Sequence, residues 1–113
     1  MTNLHHDLIL VGATGRLGSS ILKTNSVTYG ICSSGNPLQG KKIDNLSHPL
    51  LGSLLEIPKD KLKNPVVIDA SYPENFSNVH DFCLANKTPL VLASTGHSSE
   101  QIENLKSLSE DVA

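Results

Sequence analysis

The sequence predicts an α/β fold, a parallel sheet of about four or five strands flanked by helices. Four short apolar or β-rich runs punctuate the chain: "DLILVG" (7–12), "VTYGIC" (27–32), "VVIDAS" (66–71) and "PLVLAS" (89–94). The first is an unbroken apolar run rather than an alternating one, which suits a strand covered on both faces. Segments with apolar residues at helical spacing separate most of these runs, and strands alternating with helices pair in parallel through crossovers. At 113 residues, a single domain covering 1–113 is expected.

Each element has its own signal. "RLGSSILKTN" (16–25) brings Leu17, Ile21 and Leu22 near one helical face. "PENFSNVHDFCLANK" (73–87) puts Phe76, Val79 and Cys83 on one stripe with Phe82 beside it. Its entry offers a capping box from Ser71 and Glu74, with Pro73 in the first turn where a missing N–H breaks no helical bond. "SSEQIENLKSLSE" (98–110) aligns Ile102, Leu105 and Leu108 behind a second capping box, Ser98 with Gln101. Residues 33–65 carry Gly35, Pro37, Gly40, Pro49, Gly52 and Pro58, and read as loop with one short element near 51–57. A doubly wound unit normally places a crossover helix there, and none is convincing in this sequence. The last helix runs into "DVA" as though a fifth strand were about to begin, so a piece of a longer protein is expected.

Composition excludes several classes. Trp is absent and Tyr and Phe number two each, so Leu, Ile and Val must build the core. A net charge of −2 provides no basic surface for nucleic acid. Cys32 and Cys83 sit in apolar contexts, as expected for buried free thiols in a reducing compartment, and their spacing fits no zinc site. No signal-peptide pattern occurs, and no segment reaches the roughly 20 apolar residues that span a bilayer, so a cytoplasmic protein without membrane contact is expected. The histidines form no metal-binding spacing, and no nucleophile elbow or Cys–His pair is visible.

The chemistry concentrates in "VGATGRLG" (11–18), which follows a strand and opens a helix. Gly12 permits the turn off the strand, Gly15 lets backbone approach a bound group, and Gly18 lets the helix pack closely, a Rossmann-like arrangement. The free N–H groups and partial positive charge of the helix start suit a pyrophosphate. Arg16, the chain's one arginine, lies in that first turn, suited to paired hydrogen bonds with phosphate or to stacking on adenine, and Thr14 adds a hydroxyl. At the end of the second strand Ser33, Ser34 and Asn36 replace the acid that usually binds a ribose 2′-hydroxyl, so a 2′-phosphate is not repelled, and Lys41 and Lys42 follow within reach. NADPH or NADH is therefore the expected cofactor. The third and fourth strands end in "DASYP" and "ASTGH", small and hydroxyl residues that suit backbone beside a flat ring. Asp69 reads as a capping or turn residue there, and His97 as a loop or cap histidine.

Together, "GATGRLG", "VVIDASYPENFSNVHDFC" and "PLVLASTG" resemble the N-terminal domain of the 4-hydroxy-tetrahydrodipicolinate reductase (dihydrodipicolinate reductase) family. The resemblance implies NAD(P)H binding through Gly12, Ala13, Thr14, Gly15, Arg16 and Leu17, with Arg16 and Leu17 against the adenosine and phosphate region. It places Ser34 where many members carry an acid, and Ala93, Ser94 and Thr95 near the nicotinamide. Ala93 replaces the family's glycine, and Ala70, Ser71 and Tyr72 depart from its "F-T-x" residues while Pro73 and Glu74 are kept. The family's second domain, with a "H-H-x-x-K" motif and a "S-G-T" turn, holds the substrate and builds a homotetramer; neither motif occurs here. The resemblance thus implies a reductase of lysine and diaminopimelate biosynthesis, converting 4-hydroxy-tetrahydrodipicolinate to tetrahydrodipicolinate, whose small-molecule substrate is bound only by the intact enzyme. This chain alone is expected to be inactive. "GATGRLG" also resembles the opening of regulators and sugar-nucleotide epimerases with "GATGxxG" starts, so the alternative is a non-catalytic NADP-binding regulator or sensor. The reading frame beyond Ala113 separates the two: a His-His-x-x-Lys motif there supports the reductase, and a stop codon supports the sensor.

Overall fold

The computed structural model of the chain describes residues 6–71 and 76–93. Four strands, β1 (Leu8–Val11), β2 (Tyr29–Ile31), β3 (Val66–Asp69) and β4 (Leu90–Leu92), form one sheet in the order β2-β1-β3-β4. Every pairing is parallel, with Leu10 level with Gly30 on one side and Ile68 on the other, and Ile68 level with Val91. Helix α1 (Arg16–Thr24) links β1 to β2, and α2 (Phe76–Asn86) lies between β3 and β4. The architecture is Rossmann-like. The chain leaves β1 towards β2 and returns on the other side of β1 as β3, which creates a switch point where the two directions diverge.

The unbroken apolar run of β1 has its explanation in two covered faces. Ile9 and Val11 pack with Tyr29, Ile31, Val67 and the α2 residues Val79, Phe82 and Cys83. Leu10 packs on the opposite face with Leu22 of α1, Val27, Leu46 and Leu50. Val79 and Cys83 follow the expected stripe, whereas the side chain of Phe76 lies outside the described residues. Leu17 departs from expectation. Leu22 is buried, but Leu17 is 42% exposed, because the first turn of α1 rises past the end of the sheet.

Between β2 and β3 no α-helix occurs among the described residues. Two 3-10 turns, Leu54–Glu56 and Lys59–Lys61, stand in its place. The first falls within the short element expected at 51–57 and closes with a capping box: Ser53 Oγ accepts from Leu55 N at 3.1 Å, and Glu56 Oε2 accepts from Ser53 N at 3.2 Å. The preceding stretch lies along the outer edge of β2. Val27 N donates to Asn45 O at 2.8 Å, and Cys32 N to Leu51 O at 2.9 Å, with parallel bridges Val27–Leu46 and Ile31–Leu51. This satisfies the edge that β2 would otherwise expose. It also delivers Leu46 and Leu50 to the α1 face, and Leu54 and Ile57 to the α2 face. The crossover wraps the sheet instead of packing on it as a helix.

The N-terminal edge of the sheet is tied by one carboxylate. Asp7 is buried; its Oδ2 accepts from Lys63 N at 2.7 Å and its Oδ1 from Thr28 Oγ1 at 3.4 Å. Thr28 Oγ1 in turn accepts from Leu8 N at 3.1 Å. Cys32 and Cys83 are free and buried in the cores of opposite sheet faces. No helix among the described residues is long and apolar enough to cross a membrane.

Removing the Asp7 carboxylate takes a charged acceptor from the Lys63 N–H and the Thr28 hydroxyl in a part-buried position. Asp7→Ala is therefore expected to lower the unfolding free energy by about 1–3 kcal/mol, read from urea denaturation. Burial, with the charge of Asp69 adding to it, pushes the Cys83 thiol up to about 12 from the usual 9.0. The folded-state value lies above the unfolded one, so this contribution to stability is complete below about pH 9 and is lost as the pH rises towards 12. Urea midpoints measured at increasing alkaline pH should fall, and Cys83→Ala should flatten that slope; an unchanged slope would contradict the assignment.

Candidate functional site

At Val11 the chain must leave the sheet and enter α1 within four residues. Gly12 makes the turn at φ +82°, a region that L side chains rarely adopt. Its N–H and that of Ala13 both donate to Ile31 O, at 2.9 and 3.0 Å, and Gly15 N donates back to Gly12 O at 3.1 Å. The packing is tight on both sides of this turn. A β-carbon on Gly12 would meet the Ala70 carbonyl and Ser71 Cα at 2.9 Å. One on Gly18 would overlap the Gly12 carbonyl oxygen and reach Ala13 Cα at 2.9 Å. The first turn of α1 is thereby pressed against the end of β1.

Gly15 is the N-cap of α1, and no side chain caps that end, nor does any acidic residue lie in the first turn. The first N–H groups of a helix have no intrahelical acceptor. Here they open onto a cavity of about 1150 Å³ at the C-terminal edge of the sheet, over the switch point between β1 and β3. Ligands of open α/β sheets bind in that position. The structure gathers Gly12, Thr14, Gly15, Arg16, Leu17, Ser34 and Ala93 around this one cavity. Ala13 belongs to the same turn, but its methyl group is buried in the core on the α1 face. Ser94, Thr95 and His97 lie outside the described residues. Lys41 and Lys42 do not line the cavity. The chain there pairs with the segment at Leu50, with Gly40 N donating to Leu50 O at 2.7 Å and Leu50 N to Lys41 O at 3.0 Å.

The loop after β2 is held in place beside the glycine turn. Asn36 N donates to Ser33 O at 3.0 Å across Gly35, whose φ is +86°, and Asn36 Nδ2 reaches Thr14 Oγ1 at 3.5 Å. Ser34 is exposed on that loop. The opposite wall contains residues that no motif announced: Leu54 and Leu55 of the first 3-10 turn, Lys59 of the second, and Asn78, Asp81 and Phe82 of α2. Lys59 Nζ stands 5.8 Å from the centre of the Phe82 ring. Arg16, Lys59 and Asp81 are the charged residues among those described around the cavity. Lys59 lies in a proline-bounded segment with no periodicity, so only the fold of the crossover brings it here.

Asp69, the last residue of β3, forms a turn of its own. It is fully buried, and its Oδ1 accepts both the N–H of Ser71 at 2.9 Å and the Ser71 hydroxyl. The expected turn role of Asp69 matches this geometry. Ser71 spends its hydroxyl on Asp69, and Glu74, the other half of the expected capping box, lies outside the described residues. Among the described residues no three His, Cys, Asp or Glu side chains come together as a metal site would require.

The family model described as "Dihydrodipicolinate reductase, N-terminus" matches residues 6–113. The chain belongs to this family. Among curated relatives, it is 33% identical over 104 residues to the 4-hydroxy-tetrahydrodipicolinate reductase of Xylella fastidiosa (strain M23), covering 87% of this chain and 42% of that protein. It is 29% identical over 102 residues to the protein of the same name from Alkaliphilus oremlandii, covering 88% of this chain and 36% of that one. With the Clostridium tetani protein of that name the identity is 26% over 105 residues, 93% and 40% respectively. The chain thus spans about 40% of the length of the relatives it matches, on the N-terminal side that the family description names.

The close packing separates two glycines by role. Gly18→Ala forces a methyl group into backbone that cannot yield, and is expected to cost about 1–3 kcal/mol of stability in thermal or urea unfolding. Gly15→Ala has only an ordinary 3.4 Å contact with Gly12 O, and should stay within about 0.5 kcal/mol of the parent. Equal losses for both would contradict this account of the turn.

Proposed function

We propose that this chain is the dinucleotide-binding part of an NAD(P)H-dependent reductase acting on 4-hydroxy-tetrahydrodipicolinate, and that it holds NADPH or NADH along the C-terminal edge of its sheet. The observation that carries this reading is the uncapped N-terminus of α1, opened by Gly15 onto the cavity over the switch point. A pyrophosphate fits that cradle by chemistry: unsatisfied N–H donors, a favourable helix dipole, no side chain at the cap, and no carboxylate in the first turn. The cavity volume is of the order that cofactor sites occupy, roughly 300–1,000 Å³ or slightly above.

Each residue has a place in this reading. The amides of Arg16 and Leu17 donate to phosphate oxygens, and the Arg16 guanidinium adds paired, charge-assisted hydrogen bonds. Thr14, steadied by Asn36, donates from the other side of the turn. Gly12 holds the turn in shape, and Ala13 anchors it through its buried methyl group. Ser34, uncharged at the β2 end, tolerates either a 2′-hydroxyl or a 2′-phosphate. Ala93, with Ser94 and Thr95 after it, flanks the nicotinamide at the β4 end. The bound dihydronicotinamide supplies a hydride; this chain's residues orient it and keep one face of it away from water. The groups that hold and protonate the substrate are assigned to the remainder of the intact reductase, whose relatives extend well beyond the matched region.

Titration of the chain with NADH and NADPH, followed by calorimetry or ligand fluorescence, tests the reading. Saturable binding of at least one, without reductase turnover by the chain alone, is expected; turnover by these residues, or no binding, would contradict it. Arg16→Ala should weaken that binding by about 10-fold. The same change removes a cation from a helix N-terminus, where it is unfavourable by about 0.3–1 kcal/mol, so thermal stability should hold or rise. A loss of stability equal to the loss of binding would assign Arg16 to the fold instead.

A further inference from the structure

The dinucleotide reading accounts for donors in the cavity but not for Asp69 and Ser71. Asp69 is fully buried at the end of β3, its Oδ1 taking the Ser71 N–H at 2.9 Å and the Ser71 hydroxyl, while its Oδ2 has no hydrogen-bond partner. A buried carboxylate with an oxygen to spare is costly unless something requires it. What it does here is orient Ser71. A serine hydroxyl has one proton and two lone pairs. With the proton committed to Asp69, Ser71 Oγ presents only acceptor capacity to the cavity that it lines.

The sheet order says which part of a ligand meets that acceptor. The α1 N-terminus and Gly12 stand at the end of β1, Ser34 at the end of β2 on one side, and Ser71 at the end of β3 on the other. Ser71 Cα is close enough to the glycine turn that a β-carbon on Gly12 would sit 2.9 Å away. A dinucleotide with its pyrophosphate on the turn and one nucleoside over β2 must pass Ser71 with the sugar beyond the second phosphate. A phosphate oxygen brings no proton to an acceptor, whereas a sugar hydroxyl does.

We infer that Ser71, held by Asp69, is the acceptor for a hydroxyl of the ribose on the nicotinamide side, and that Asp69 is the positioning residue that keeps Ser71 from serving as a donor. The inference rests on the dinucleotide reading above and assigns a new contact within it. Its effect is to fix the register of the nicotinamide half, since the pyrophosphate seat alone does not distinguish a dinucleotide from a simple diphosphate.

Calorimetric titration of the 113-residue chain with ADP, ADP-ribose and NADH tests this, because ADP lacks the second ribose. Ser71→Ala is expected to weaken ADP-ribose and NADH about 5-fold while leaving ADP unchanged, and Ser71→Thr, which keeps the hydroxyl, should restore both. Asp69→Ala, which removes the acceptor that an asparagine would keep, should weaken the same two ligands, yet cause no further loss in the Ser71→Ala background. Circular dichroism of each variant checks the fold, and the Ser71→Ala and Ser71→Thr pair decides the matter if Asp69→Ala does not fold. Equal losses for all three ligands, or no loss for any, overturn the Ser71 contact and leave the dinucleotide reading standing. Failure of the unaltered chain to bind any of the three overturns the dinucleotide reading, and this inference with it.

Discussion

The contact between Gly18 and the carbonyl of Gly12 is the constraint on which the rest of the site depends. A helix start held this close to a strand end leaves no room for a β-carbon between them. It orients the first turn of α1 over the end of β1, so its unsatisfied amides face the cavity rather than solvent at large. Gly15 adds nothing to packing and obstructs nothing, which leaves those amides available. Under the proposed reading the single arginine of this turn answers a bound anion; without one, a guanidinium there opposes the helix dipole.

Two carboxylates bracket the sheet and do different work at its two ends. At the N-terminal edge Asp7 gathers the starts of β1, β2 and β3 through Thr28 and Lys63, a purely architectural role. At the C-terminal edge Asp69 shapes the exit from β3 and turns Ser71 towards the cavity. The crossover between β2 and β3 completes the arrangement. By lying along β2 rather than coiling into a helix, it covers the sheet edge and lends Leu54, Leu55 and Lys59 to the cavity wall. A crossover helix in the usual place would have presented a different wall.

Much of this is legible in the amino-acid sequence. The four strands announce themselves because each is short, apolar and bounded by glycine, proline or polar residues, and the glycine turn does so because Gly12 and Gly18 each have a steric reason. The absence of a crossover helix was legible for the same reason, since six glycines and prolines between 35 and 58 defeat helical periodicity. What the segment does instead was not, because the pairing of Asn45 and Leu51 with β2 is a long-range choice that leaves no local pattern. Leu17 misled for a related reason: helical spacing reports a face, not how far the helix has climbed above the sheet. Lys41 and Lys42 were near the second strand in sequence, yet the turn at Gly40 ties them to Leu50, while Lys59, further along, reaches the cavity.

The central claim is that the N-terminal amides of α1 are an anion seat. Amide chemical-shift mapping of the ¹⁵N-labelled chain during titration with NADH tests it most directly. The account predicts the largest, saturable shifts at residues 14–17, accompanied by Ser34, Ser71 and Ala93. Shifts absent from 14–17 and centred instead on Lys41 and Lys42, or spread evenly over the surface, would contradict it.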